Sequence, residues 1–482
     1  MKTKIVYLLL LFSIMVLEFS CKDDKVEGAV FSLSIDGQEK TDFTFGYGQT
    51  FVMATLSSNT GWRLTSDQPW CALSNVSGTP TEKQYIKIAV ERNTTAASRI
   101  ATITMEAGGN VQQYTVTQTS KNAMVFPAGM EKDAIELVKS IDMGWNLGNT
   151  LESTGGETAW GAPMTSQAII DKVKELGFNA VRIPCSWNQY LEEDGITIQT
   201  AWMNRVKEVV DYCINADMYA VLNIHWDGGW MDDACDASTT SEETIVEVEA
   251  KVYNLWTQIA TAFRGYDERL LFAGANEPPV DNREDMAVLH RYEQAFVNAV
   301  RATGGNNTYR NIIVQGPSTD INKTNQWMEL PEDPTPARMI VEVHYYDPPH
   351  FCLDEDPKTC TYFWGEPYIQ YGTFDAEYQE GHVHNQFAKM KAKYVDKGIP
   401  LIIGEFGLIY RTHPDESLQS ACQESEGYYL GYVAEQAKNY GLVPFLWDTQ
   451  GNQFFDRNTL QILIPTAYRQ LMDGATKGQY PF

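Results

Sequence analysis

Two glutamates carry the sharpest chemical suggestion in this sequence. Glu277 stands in Ala275-Asn276-Glu277-Pro278 and Glu405 in Ile403-Gly404-Glu405-Phe406-Gly407, and each closes a short apolar run. Two carboxyl groups converging on one bond are what glycosidic cleavage requires, since one protonates the departing oxygen while the other meets the anomeric carbon. Their separation sets the course. At ~5–5.5 Å the second acid attacks carbon itself and configuration is retained, whereas ~6.5–9.5 Å admits a water and inverts it. Either glutamate alone would be read as a salt-bridged acid at a strand end; the pair points to chemistry.

Further polar residues fall at the same place relative to apolar runs: Asn146, Arg182, His225, Asn276, His344, Tyr346 and Trp447. If Glu405 is the acid that attacks carbon it must stay ionised, and Arg182 is then expected to hold it low, with the Tyr346 hydroxyl aiming it. Glu277 would need the reverse, a raised pKa that keeps its proton until substrate arrives. With Glu405 as an ester its charge would be gone, and Glu277 could serve as base. Asn276 is placed to hydrogen-bond a sugar 2-hydroxyl. His290 and His413 read as buried structural histidines. His382-Val383-His384 lacks the spacing of a metal site, and no metal is expected. Of Trp187, Trp226, Trp230 and Trp364, at least half are expected to pack loops rather than line a cleft. Gly228-Gly229 and Gly304-Gly305 lie in no phosphate-binding pattern, and no serine sits in a GxSxG elbow. No cofactor is implied.

The elements that must position these residues can be counted. Apolar runs at Ile141–Trp145, Ala180–Pro184, Tyr219–His225, Leu270–Glu277, Asn311–Gln315, Met339–Tyr345, Leu401–Glu405 and Val443–Trp447 alternate with helical stretches such as Glu131–Ser140, Ser166–Leu176, Ala201–Ala216 and Glu243–Phe263. Eight strands, most followed by a helix, predict an α/β fold, a (β/α)8 barrel over residues 124–482. The polar residues then gather at the carboxyl ends of the strands, the catalytic face of such a barrel.

Residues 26–120 follow another grammar. Thr, Ser, Val and Gly dominate, and Ile86-Lys87-Ile88-Ala89-Val90 and Ile100-Ala101-Thr102-Ile103-Thr104-Met105 alternate with period two. Gly108-Gly109-Asn110 breaks the second run from Tyr114-Thr115-Val116-Thr117. This predicts a small antiparallel β-sandwich, with Trp62 and Trp70 filling its core. Residues 1–21 read as an export leader: Lys2 and Lys4, an apolar stretch from Ile5 to Leu17 too short to span a membrane, then Ser20-Cys21. A small residue before Cys resembles a lipoprotein cleavage site, with Cys21 lipidated, and Lys22-Asp23-Asp24 resembles the surface-export signal of Gram-negative glycan degraders. The expectation is a secreted outer-membrane lipoprotein, acting as a monomer.

The whole chain of 482 residues holds 37 basic and 63 acidic side chains, a net charge of −26. Such a surface repels nucleic acid and anionic lipid. It is compatible with a neutral polysaccharide, and 12 Trp with 25 Tyr provide flat apolar surface for sugar rings. Beyond Cys21, seven cysteines show no close CxxC pair, and Cys352 and Cys360 are expected to bridge in an oxidising compartment.

Taken together, Gly144-Trp145-Asn146-Leu147-Gly148-Asn149-Thr150-Leu151-Glu152, Val181-Arg182-Ile183-Pro184, Asn223-Ile224-His225, Asn276-Glu277-Pro278, His344-Tyr345-Tyr346 and Gly404-Glu405-Phe406-Gly407 resemble glycoside hydrolase family 5. The resemblance spans about Met124 to Phe482. It implies a retaining endo-acting β-glycanase with Glu277 as general acid/base and Glu405 as nucleophile, and the expectation is an endo-β-1,4-glucanase acting on cellulose-like or mixed-linkage glucan, with xyloglucan close behind. It also implies sugar contacts from His225 and His344 and a stacking platform at Trp447. The first motif with Trp160-Gly161 resembles the cellulase and xyloglucanase branch; xylanase or mannanase activity and a silent glycan-binding protein are the alternatives. Many relatives carry a second histidine where this chain has Trp226. The segments Gly61-Trp62-Arg63-Leu64, Trp70-Cys71-Ala72-Leu73-Ser74 and Val116-Thr117-Gln118-Thr119 resemble the BACON module, an immunoglobulin-like sandwich.

Overall fold

The computed structural model describes residues 28–35, 38–39, 41–45, 47, 50–120, 126–449 and 451–482. The leader and Cys21 lie outside them. The described residues form two compact units, 28–120 without Tyr47, and Tyr47 with 126–482.

The first unit is a sandwich of ten strands: β1 Phe31–Ile35, β2 Gln38–Glu39, β3 Asp42–Phe45, β4 Thr50–Ser58, β5 Trp62–Ser66, β6 Cys71–Leu73, β7 Ser77–Gly78, β8 Thr81–Val90, β9 Arg99–Ala107 and β10 Asn110–Gln118. One sheet runs β2-β1-β4-β8-β6 and the other β3-β10-β9-β5-β7. Period-two burial places Ala101, Ile103, Met105 and Ala107 of β9 inward, against Trp62 and Trp70, which are both buried. Gly108 and Gly109 join β9 to β10 with φ of 56° and 78°, the two-residue turn whose positive φ values glycine adopts without strain. The expected all-antiparallel pairing is corrected at one edge, where β3 lies parallel to β10.

The second unit is a closed barrel of eight parallel strands: β11 Gly144–Asn146, β12 Ala180–Ile183, β13 Tyr219–Asn223, β14 Leu270–Ala273, β15 Ile312–Gln315, β16 Met339–Tyr345, β17 Leu401–Phe406 and β18 Leu442–Leu446. Each apolar run holds a strand, the bounds shifting by a few residues: Ile141–Met143 precede β11, which extends to Asn146, and the strand in the fourth run ends at Ala273. Helices at Gln167–Glu175, Thr200–Asn215 and Glu242–Ala262 surround it. The last starts at Ser241, whose side chain accepts from the Thr244 amide, and buries Ile245, Val248, Val252, Leu255, Trp256 and Ile259 on one face.

Inside the barrel the side chains sort by height. Ala180, Val221, Leu271, Ile313, Ile340, Ile402 and Val443 make an apolar lower layer, closed by Ala134, Leu137 and Val138 of the short helix Ala134–Val138. Two residues further along the strands the inward positions turn polar: Arg182 after Ala180, Gln315 after Ile313, Glu342 and then His344 after Ile340. Strand β17 breaks that parity. Ile403 pairs with Val343, but the next partner of His344 is Glu405, so Gly404 is an extra residue and Glu405 takes the inward position. A Cβ on Gly404 would sit 1.8 Å from Glu342 Oε1.

Cys352 and Cys360 are free thiols, which corrects the expected bridge. Both are buried, beside Tyr429 and Tyr362 respectively.

Because the bulge leaves no room for a methyl group, Gly404→Ala is expected to destabilise the protein by about 1–3 kcal/mol and to cut activity. Urea denaturation and hydrolysis assays check this; an unchanged midpoint with full activity would contradict it.

Candidate active site

Arg182 lies in the polar layer, fully buried, and its guanidinium reaches residues of β11, β16 and β17 and Asn276 beyond β14. Nη1 donates to Glu405 Oε1 at 2.8 Å and to Asn146 Oδ1 at 3.0 Å, while Nη2 donates to Asn276 Oδ1 at 2.7 Å. Nε faces Glu342 Oε1 at 3.0 Å, an ion-pair contact too bent to be a hydrogen bond. Burial works against this cation, but Glu342 and Glu405 hold its pKa above the ordinary value. Asn146 also donates to the Gly404 and Leu446 carbonyls, tying β11 to β17 and β18. With its carbonyl committed to a donor-only guanidinium, Asn276 offers the cleft its two N–H groups.

Glu405 is buried and Glu277 is not: the Glu277 side chain is 46% exposed. Tyr346 donates its hydroxyl to Glu405 Oε2 at 3.1 Å, and His344 Nδ1 stands 3.7 Å from the same oxygen. On its other side that nitrogen lies 2.6 Å from Glu277 Oε1. Facing atoms of Glu277, His344 and Glu405 all fall within 4.8 Å of one another. Among the described residues this is the one grouping with the donors of a metal site, but Arg182 and His344 already bring positive charge to its acids.

The titration order differs from the expectation. Burial lifts Glu405 above the usual carboxylate range, against the pull of His344 and Arg182. Burial also acts on Glu277, yet the hydrogen bond and charge of His344, then Arg182, carry it below that range. His344 itself is lifted to about 10, burial being overcome by Glu405, Glu277 and Glu342. The reason is spatial: Glu405 is the more deeply buried, whereas Glu277 is in direct contact with His344.

His225 is driven the other way, well below its ordinary value, by burial and by the charges of Arg182 and His344. It stays neutral. Asn223 donates to its Nδ1 at 3.3 Å, which leaves Nε2–H as a donor. Its ring lies parallel to Trp447, 5.9 Å between centroids at 5°. Trp447 follows β18 directly and its amide donates to the Phe406 carbonyl.

The other aromatics divide. Trp187 and Trp364 are buried loop packing, Trp230 is half-buried under Lys251, and Trp226 is 51% exposed. His290 and His413 are half-buried rather than buried, each bonded to nearby backbone. His382 faces Asp347 while His384 faces Tyr432 and Tyr440, so the pair does not converge. Glu342 is the residue that sequence reading missed. It is buried between Arg182, His344 and Gln315. The signal was a charged residue two positions before His344 in a strand otherwise apolar, hence on the same face.

Comparisons with known proteins agree with this geometry. The Cellulase (glycosyl hydrolase family 5) model matches residues 146–453, and a viral BACON domain model matches 38–121. The chain is 31% identical over 483 residues to a xyloglucan-specific endo-β-1,4-glucanase of Bacteroides ovatus, covering 94% of this chain and 93% of that one. A solved Bacteroides ovatus family 5 xyloglucanase with a XXXG heptasaccharide superposes at a TM-score of 0.71 with 30% identity, over 92% of this chain and all of that one. A xyloglucan-specific β-1,4-glucanase from a ruminal metagenomic library, holding XXLG, gives 0.69 at 41% identity, over 73% of this chain and 98% of that one. Six ordered motifs, a polar layer built on eight strand ends and these matches lead to one place: the chain belongs to glycosyl hydrolase family 5 and is a glycoside hydrolase.

Proposed function

We propose that the protein is a retaining endo-β-1,4-glucanase whose preferred substrate is xyloglucan, with Glu405 as nucleophile and Glu277 as general acid/base. The observation that carries the mechanism is that one oxygen of each carboxyl group lies within 4.8 Å of the other. That gap suits direct attack on carbon and is too narrow for the water of an inverting enzyme. The substrate preference rests on relatives that are named for xyloglucan or hold its oligosaccharides.

In this reading Glu405 Oε2 forms a bond to the anomeric carbon while the bond to the leaving oxygen breaks and Glu277 gives that oxygen its proton. Arg182 and Tyr346 keep Glu405 fixed for attack. The glycosyl ester removes one negative charge from the enclosure. Glu277, now ionised, takes a proton from water, which attacks the same carbon and releases Glu405. His225 Nε2–H and the Asn276 amide donate to sugar hydroxyls, and Trp447 stacks beneath the ring at the point of cleavage.

Glu405→Ala is expected to lower kcat/KM on xyloglucan by on the order of 10^4 or more, and Glu277→Ala by about 10²–10⁴. Proton NMR of the wild-type reaction should show the β-anomer as first product, with xyloglucan cut faster than mixed-linkage glucan, xylan or mannan. Near wild-type hydrolysis by either variant, or an α-anomer first, would overturn the roles.

The raised pKa of His344 also makes a stability statement. A cation whose folded pKa lies above its unfolded value stabilises fully below the unfolded pKa and loses that contribution as pH climbs through the folded one. For His344 the window runs from its ordinary 6.5 to about 10. The stability advantage of wild type over His344→Gln should therefore shrink across that window in urea titrations. A constant difference would refute a charged His344.

We further propose attachment to the outer membrane through Cys21 as a monomer, supported by Lys2, Lys4, the apolar stretch from Ile5 to Leu17 and Ser20-Cys21. Labelled palmitate should enter the wild type and not Cys21→Ser; an unlabelled wild type would reject the anchor.

A further inference from the structure

Glu342 has no part in the reaction as described so far, yet it lies fully buried beneath both acids. Of the three groups within reach of it, the Gln315 amide nitrogen and the Arg182 guanidinium can present only N–H. Gln315 Nε2 donates to Oε2 at 2.6 Å, and the amide cannot be turned because its Oε1 already accepts from the Ala275 amide at 2.8 Å. Arg182 Nε lies 3.0 Å and His344 Nε2 3.2 Å from Oε1. The bulge at Gly404 leaves the space that Oε1 occupies. A carboxylate, which only accepts, suits the Gln315 N–H and the charge of Arg182, and asks a hydrogen of its third neighbour, Nε2.

One consequence concerns the imidazole. Because Glu342 accepts, Nε2 of His344 must carry hydrogen. The opposite nitrogen, Nδ1, then faces Glu277 Oε1 at 2.6 Å, and lone pair cannot face lone pair at that distance. One proton must lie between them, either as imidazolium with carboxylate or as neutral imidazole with carboxylic acid. We propose that Glu342 is a positioning residue that fixes the His344 tautomer, so that His344 and Glu277 together hold the single proton delivered to the leaving oxygen. This deepens the acid/base assignment of Glu277 and rests on it.

The proton balance closes. When the glycosidic bond breaks, the proton leaves on the departing oxygen, and the pair is left as Glu277 carboxylate and neutral His344 with hydrogen on Nε2. When water attacks the ester, its proton returns to the Glu277–His344 pair. The charged neighbours of His344 are Glu277 beyond β14, Arg182 on β12, Glu405 on β17 and Glu342 on its own strand, with neutral His225 beyond β13 and neutral Gln315 on β15. Of the three acids, Glu342 touches Nε2, the nitrogen turned away from the cleft.

The test is Glu342→Gln in the full-length enzyme. The amide brings N–H against at least one of three donors and removes the negative charge that favours the protonated ring. With cellotetraose, whose leaving group needs a proton, kcat/KM should fall by ~100-fold. With 2,4-dinitrophenyl β-cellobioside, whose leaving group does not, it should fall less than ~5-fold. The basic limb of the cellotetraose pH profile should also move to lower pH by ~1 unit or more. Equal losses on both substrates with an unmoved limb would reduce Glu342 to a structural role and overturn the proposal. A Glu277→Ala enzyme that still cleaves cellotetraose at the wild-type rate would instead remove the acid/base reading beneath it. Should the variant not fold, 15N-histidine NMR of the wild type decides: hydrogen on Nε2 of His344 supports the proposal, and an Nδ1–H tautomer with bare Nε2 overturns it.

Discussion

A guanidinium sealed from water must be met on every side, and Arg182 is such a group in the interior of the barrel. Meeting it recruits Asn146 from β11, Asn276 beyond β14, Glu342 from β16 and Glu405 from β17. The apolar layer below, from Ala180 to Val443, leaves these residues no water to turn to instead. Removing the cation would leave Glu342 and Glu405 as buried carboxylates without the counter-ion they share. The arrangement of the catalytic face therefore follows from how one buried charge is satisfied.

The two acids differ in surroundings, and the difference matches the role proposed for each. Glu405 is enclosed and held by Arg182 and Tyr346, as suits a group that forms a bond to one carbon in one direction. Glu277 stands on the open side with nearly half its side chain in solvent, where a leaving group and later a water must reach it. His344 lies between them and answers to both. Three acids and two cations occupy this enclosure, so moving one proton changes the electrostatics of every member.

Much of this was legible in the residues. Eight apolar runs located eight strands because barrel strands are buried on both faces, and the polar residues that ended those runs marked the working rim. Period-two alternation similarly found the sandwich and the Gly108-Gly109 turn. What the chain order hid was distance. The parallel β3–β10 edge, the free thiols of Cys352 and Cys360, and the reversed titration of Glu277 and Glu405 all depend on neighbours remote in sequence. Glu342 looked like an odd charge in a strand; its meaning appeared when Arg182, Gln315 and His344 proved to surround it. Trp187 and Trp364 turned out to pack loops, which residue type alone does not distinguish from lining a cleft.

The central claim is that Glu405 attacks the anomeric carbon from across a narrow gap to Glu277. Incubation with a 2-deoxy-2-fluoro-β-cellobiosyl fluoride, followed by mass spectrometry of the digested protein, tests it directly, because the fluorine slows hydrolysis of a glycosyl ester once formed. The account predicts one cellobiosyl adduct per chain, carried by the peptide and side chain of Glu405. A label on Glu277, or turnover of xyloglucan without any trapped ester, would contradict it.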